Sequence, residues 1–180
     1  VAGTVPVIRL EDFLPDSQAI GQGVQVNVGN WQLQLENNKN AYALDFVQRQ
    51  RFHAALPMTL TPVQFVDQLN QNCGGVLTPV ERAQLITELA LNNNELGRAS
   101  VLRKVVEDSD LRDKEFRRAF VLMQYFGYLR RDPDDGQDTN FAGWKFWLDK
   151  LNQNNGNYVN AEMVKAFITS VEYKNRFVVQ

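Results

Sequence analysis

The side chains best equipped for chemistry in this sequence lie in one short stretch. Asp132, Asp134, Asp135, Asp138 and Asn140 fall within nine residues, a density of oxygen ligands that a hard cation such as calcium can use. The EF-hand frame does not fit them. If Gly136 takes the turn-glycine position, Arg131 stands at the first ligand position and Ala142 at the twelfth, where a Glu belongs. Asp and Asn also favour turns and helix starts, and Arg130 and Arg131 supply counter-charge. The 132–140 loop is thus a calcium candidate whose plainer reading is a turn.

Other reactive side chains are sparse. Cys73 is the single cysteine, so neither an intrachain disulfide nor a cysteine-based zinc site can form. Followed by Gly74 and Gly75, it reads as a buried or half-exposed thiol near a helix end rather than a nucleophile. His53 is the single histidine and has no acidic neighbour in sequence, which favours a helix surface over catalysis or metal binding. A nucleophile elbow, phosphate loop, dinucleotide fingerprint and zinc-protease helix are all missing from the sequence. No catalytic, cofactor-binding or metal residue is assigned, and the chain is not expected to be an enzyme. An active site here would have to use carboxylates, Lys or Tyr.

These residues sit in a soluble, helix-rich chain. Over 180 residues, 19 Lys and Arg stand against 21 Asp and Glu, with 44% apolar residues. A chain of this length can bury one good core or two small helical ones. The charge balance speaks against nucleic-acid binding, which calls for a basic excess. Apolar runs are far too short to span a membrane. The chain opens on Val1 without an initiator Met, which reads as a piece excised or processed from a longer protein.

Residues 1–29 read as a mostly irregular N-terminal arm, with Pro6, Pro15, Gly21, Gly23 and Gly29 as breakers and Val24, Val26 and Val28 alternating as in a short strand. Asn30 is the expected N-cap of a helix running to about Ala55. Thr61-Pro62 with Gln64, and Thr78-Pro79 with Glu81, are two capping boxes. Further helices are expected over 97–108, 110–130, 141–154 and 160–175.

Two internal echoes organise the chain. Asp67, Leu69, Asn70, Gln71, Asn72 and Gly74 match Asp149, Leu151, Asn152, Gln153, Asn154 and Gly156. Phe46-Val47 with Phe52, Val105-Val106 with Leu111, and Phe167-Ile168 with Tyr173 form a second set about 60 residues apart. The expected fold is all-α, with tandem helical repeats packed into one body so that neighbours cover each other's apolar faces. Its divisions are the 1–29 arm, the end of a preceding repeat at 30–55, a first complete repeat at 56–115 and a second at 116–180. Aromatic residues crowd the second repeat, where Phe116, Phe120, Met123 and Phe126 read as a core stripe. Trp147 matches Phe65 and is expected to be buried, whereas Trp144 matches Pro62 and is freer to face outward as a contact surface.

The segment Tyr128-Leu129-Arg130-Arg131-Asp132-Pro133-Asp134, followed by Gly143-Trp144-Lys145-Phe146-Trp147 and closed by Phe167-Ile168-Thr169-Ser170 with Glu172-Tyr173, carries a resemblance. It resembles the bacterial domain-of-unknown-function helical repeat family of extracellular and surface-associated proteins, itself similar to the phycobilisome linker repeat. The resemblance covers 116–177 best and 43–115 less well. It implies a helical, non-catalytic structural or interaction module of a larger secreted or surface-associated protein, partnered by an unknown protein or surface component. The alternative reading is a ligand-binding module, taking calcium at the 132–140 loop or glycan near Trp144.

Overall fold

Capping chemistry opens two of the helices as the sequence predicts. In a computed structural model that describes residues 5–136 and 139–178, Pro62–Asn72 and Pro79–Leu91 each begin behind a threonine. That hydroxyl accepts the backbone N–H three residues on, while the Gln64 or Glu81 side chain accepts the threonine's own N–H. The Glu81 box titrates and the Gln64 box does not. Glu81 is held below its ordinary pKa by the Thr78 hydroxyl and then by the Thr78 N–H. A lowered folded pKa means that its contribution is fully present above the unfolded value and lost as pH falls through the folded one. On going from about pH 5 to about pH 3, the parent is expected to lose more thermal stability than Glu81→Gln, as followed by circular-dichroism melting.

The described residues are all-α and contain no strand. Ten helices run in order: α1 Leu10–Gly21, α2 Trp31–Gln48, α3 Gln50–Ala55, α4 Pro62–Asn72, α5 Pro79–Leu91, α6 Glu95–Val106, α7 Ser109–Gln124, α8 Ala142–Gln153, α9 Met163–Thr169 and α10 Val171–Asn175. A π-helical turn, Tyr125–Leu129, extends α7.

Several sequence expectations are corrected. The arm expected to be mostly irregular carries the 12-residue α1 despite Pro15, because its start is held by a carboxylate distant in sequence, described below. Val24, Val26 and Val28, by contrast, lie as the arm reading has them, in a non-helical stretch of turns and bends between α1 and α2. The helix expected to run to Ala55 breaks at Arg49, whose ψ of 136° is extended. Asn30 precedes α2 without a side-chain cap bond.

Contacts divide the described residues into two units, one built on Leu14–Arg112 and the other on 113–178 together with 5–13. In the first, α2 lies against α6, and α4, α5 and α6 pack on one another. Its core is Leu56, Phe65, Val66, Leu69, Leu85, Leu89, Val101 and Val105, with Ala43, Val47 and Ala99 between α2 and α6. Gly97 is required by a close approach, since a Cβ there would lie 1.9 Å from the Asn92 carbonyl oxygen. In the second unit the core is Val121, Leu122, Tyr125, Phe126, Trp144, Leu151, Ala161, Met163 and Phe167.

The matched segments have like local structure. Helix α4 ends on Gly74 and Gly75 at φ of 78° and 72°, with the Gly75 N–H bonded to the Asn70 carbonyl at 2.8 Å. Helix α8 ends on Asn155 and Gly156 at 50° and 81°, with the Gly156 N–H bonded to Leu151 at 2.8 Å. Both are Schellman-type endings, that of α8 falling one residue earlier relative to the matched segments. The surroundings differ: Asn70 accepts the Leu77 N–H, whereas the matching Asn152 accepts from Arg117. Each member of the second echo sits where one helix ends and another begins, at 48–50, 106–109 and 169–171.

Candidate functional site

The densest polar arrangement in the C-terminal unit is the loop singled out by its carboxylates. The π-helical turn ends with Arg130 in the left-handed region, its N–H bonded back to the Tyr125 carbonyl at 2.8 Å, and this reversal turns the chain into 131–136. Arg131 then fixes the loop from inside. One guanidinium nitrogen donates to the carbonyls of Asp132 and Asp135 at 2.9 and 3.1 Å, and two others donate to Glu172 at 2.6 and 3.2 Å. The Asp132 N–H donates to the Asp135 carboxylate at 3.2 Å, and Pro133 is buried beneath.

The carboxylates so arranged receive the N-terminal segment of the chain. Asp132 Oδ1 accepts the Leu10 N–H at 2.9 Å, satisfying one of the orphan donors at the start of α1. Asp134 takes the Arg9 guanidinium through both oxygens, with Nη2 to Oδ2 at 2.9 Å, in the fork geometry that makes such pairs strong. Arg9 also lies 3.7 Å from Asp132. The guanidinium holds the Asp134 carboxyl below its ordinary range. Leu10 and Phe13 pack on the unit's core, with the Phe13 and Phe126 rings 5.3 Å apart.

Asp134 and Asp132 are thus both engaged by the N-terminal segment, Asp134 by the Arg9 guanidinium and Asp132 by the Leu10 N–H. Among the described residues, no group of three His, Cys, Asp or Glu side chains could hold a metal ion. Asn140 accepts the Ala142 N–H at the start of α8. Asp138 lies outside the described residues. Asp132→Ala is expected to cost about 1 kcal/mol, as for loss of a helix cap, and to speed proteolysis within residues 5–13. Limited digestion followed by mass spectrometry measures it.

Trp144 departs fully from expectation and Trp147 only in part, since it still packs on the core. Trp144, expected to face outward, is 1% exposed, whereas Trp147, expected to be buried, is half-buried beside the exposed Phe146, with the Lys150 ammonium 5.2 Å from its ring centre. The reason is helix length. Helix α8 starts at Ala142, two residues earlier than α4 relative to the matched segments, so Trp144 lies within a formed turn. It shares the inward stripe with Leu148 and Leu151 at spacings of four and seven. The proposed core stripe also divides: Phe126 is buried, but Phe116 is 58% exposed and stacks on Phe120, which in turn meets Tyr158.

Cys73 caps the end of α4 and is half-buried. The His53 Nε2 lies 3.7 Å from Glu95, which also accepts from Gln48 at 2.6 Å. In the N-terminal unit, Ile20, Tyr42, Phe46, Leu102 and Val106 line an open groove of about 370 Å³. Its rim is an ion-pair network in which Arg103 bonds Glu36 at 2.8 Å and Glu107 at 2.6 Å. At one end Tyr42 donates to Asp16 at 2.7 Å, and its hydroxyl is pushed up to about 12, first by burial and then by that carboxylate.

Arg98 was given no role by the sequence reading. Its guanidinium is 1% exposed and donates to the main-chain carbonyls of Leu56, Pro57, Met58 and Leu60 at 2.9 to 3.2 Å and to the Asn93 side chain at 3.2 Å. It lies over the Phe65 ring at 4.6 Å. Burial lowers its pKa from the ordinary arginine value. The signal was present in the spacing, since residue 98 shares a helix face with Val101 and Val105. Comparison with known proteins finds no matching family model, no similar curated protein and no similar solved structure.

Proposed function

We propose that this chain is a non-enzymatic structural or interaction module of a larger bacterial protein, secreted or surface-associated, that contacts another protein or a surface component. The observation that carries this reading is the use made of the 132–135 carboxylates. They hold Arg9 and the first N–H of α1, which is an architectural task. Large apolar side chains left exposed on both units, among them Leu91, Leu96, Phe116 and Phe146, supply material for contacts with other molecules. The secreted or surface address rests on the family resemblance alone.

The same reading takes the chain as divergent helical repeats. Its support is the shared Schellman-type ending of α4 and α8 and the shared helix break at the three Phe-Val-type segments. The intervening elements have diverged: α4 is followed by two helices of 13 and 12 residues, α8 by two of seven and five. No helix is long and apolar enough to cross a membrane among the described residues.

Calcium titration followed by thermal shift separates this reading from the ligand-binding one. Calcium at millimolar concentration, enough to fill even weak extracellular sites, is expected to leave the melting temperature unchanged, and a glycan panel is expected to give no retention. A rise of several degrees with calcium that disappears in Asp134→Asn would replace the scaffold by a calcium-binding module.

A further inference from the structure

The two halves of α1 are held by different parts of the chain. Arg9, Leu10 and Phe13 are fixed by Asp134, Asp132 and the core around Phe126. From Leu14 onward the holders change: Asp16 accepts from Tyr42 at 2.7 Å and Arg49 at 2.8 Å, and Asn38 donates to the carbonyls of Ile20 and Gln22 at 2.9 and 2.8 Å. The division between the units falls between Phe13 and Leu14. Pro15 stands beside it inside the helix. Lacking an N–H, it leaves the Glu11 carbonyl without its helical bond, so the helix is weakest where its two sets of holders meet.

The receiving site, by contrast, is preorganised. Arg131 pins both the Asp132 and Asp135 carbonyls, and the buried Pro133 sets the backbone between them. Such a site recognises three features together: a guanidinium for the Asp134 fork, an unsatisfied N–H at a helix start for Asp132, and an aromatic ring four residues after the Arg for Phe126.

We propose, independently of the scaffold reading, that this site is a docking site for a helix start of the pattern Arg-Leu-x-x-Phe, and that a second copy of the chain fills it by exchanging residues 5–13. The occupant's chemistry is defined by the segment now seated there, and every copy carries both segment and site. Tethering gives a chain's own segment an effective concentration on the order of millimolar. The unexchanged form therefore dominates in dilute solution, and exchange grows as protein concentration approaches that value.

Charge reversal on opposite sides of the clamp tests the exchange. In Arg9→Asp and in Asp134→Arg, like charges meet whether a chain docks its own segment or exchanges with an identical copy. When the two variants are mixed, the unaltered Arg9 of one copy meets the unaltered Asp134 of the other, and the two reversed charges meet each other. At roughly millimolar protein, light scattering is expected to show dimers in the mixture and monomers in each variant alone. Monomers throughout would overturn the exchange, whether the site keeps its own segment or takes one from another protein. Dimers formed equally by each variant alone would also overturn it, because they would use another surface. If circular dichroism shows that either reversal disturbs folding, Arg9→Gln and Asp134→Asn replace them, and the dimer fraction in their mixture is expected to exceed that of either alone severalfold.

Discussion

Arg98→Ala is expected to destabilise the N-terminal unit by about 3 to 5 kcal/mol, since each bond to a charged donor contributes about 1.5 to 3 kcal/mol and an orphaned buried acceptor costs about 1 to 3 kcal/mol. Five hydrogen bonds end on this one guanidinium, and among the described residues none of them comes from a carboxylate. Removing it takes a donor from four carbonyls of the 56–60 bend, of which Pro57 keeps the Leu60 N–H and Leu60 keeps the Asn93 amide while Leu56 and Met58 lose the donor described for them, and it uncovers the Phe65 ring. Water reaches the exposed end of the loop and recovers part of the loss, but the Leu56 bond is fully buried. For a chain of this size, the change corresponds to a fall of roughly 10 °C in melting temperature. Arg98→Lys keeps the charge but offers three donors on one atom in place of a planar fork, and should recover only part of the loss. An alanine variant melting within a degree or two of the parent would show that these bonds contribute little beyond what water supplies.

Trp144→Ala is expected to cost a similar amount, about 3 to 5 kcal/mol, through the cavity left in the C-terminal core. The indole is 1% exposed and belongs to the cluster of Val121, Tyr125, Phe126, Leu151 and Met163. Its ring N–H is buried without a hydrogen-bond partner among the described residues, so Trp144→Phe removes a desolvated donor along with some volume. That substitution should cost distinctly less than alanine, and the gap between the two variants measures packing against polarity. Chemical denaturation with intrinsic fluorescence reads both. A surface tryptophan would instead leave stability almost unchanged on truncation, within about 0.5 kcal/mol.

What could be read from the sequence was what is decided locally. The boxes at Thr61 and Thr78 form because a hydroxyl, a proline and a Gln or Glu at fixed spacing satisfy the same few amides in any surroundings. The glycines after α4 and α8 end helices for an equally local reason. Helix α1 was illegible because its first N–H is bonded by Asp132, 122 residues away, and Pro15 argues against a helix on local grounds. The break at Arg49 carries neither Gly nor Pro, and the chain turns there while Arg49 bonds Asp16 and Asp45. Trp144 departs from the pattern because a matched segment does not bring a matched helix start: α8 begins two residues earlier than α4. The 132–135 cluster was found by its density, but its partner was not: nothing in the spacing of carboxylates tells a metal ion from a guanidinium supplied by the other end of the chain.

The brace formed by Arg98 grips the 56–60 bend through its main-chain oxygens alone. Peptide carbonyls are the same in every amino acid, so the grip is indifferent to which side chains the bend carries. Pro57, Met58 and Thr59 all project into solvent from it. Their identities are thus free to drift, generation after generation, while the curve beneath them keeps its shape.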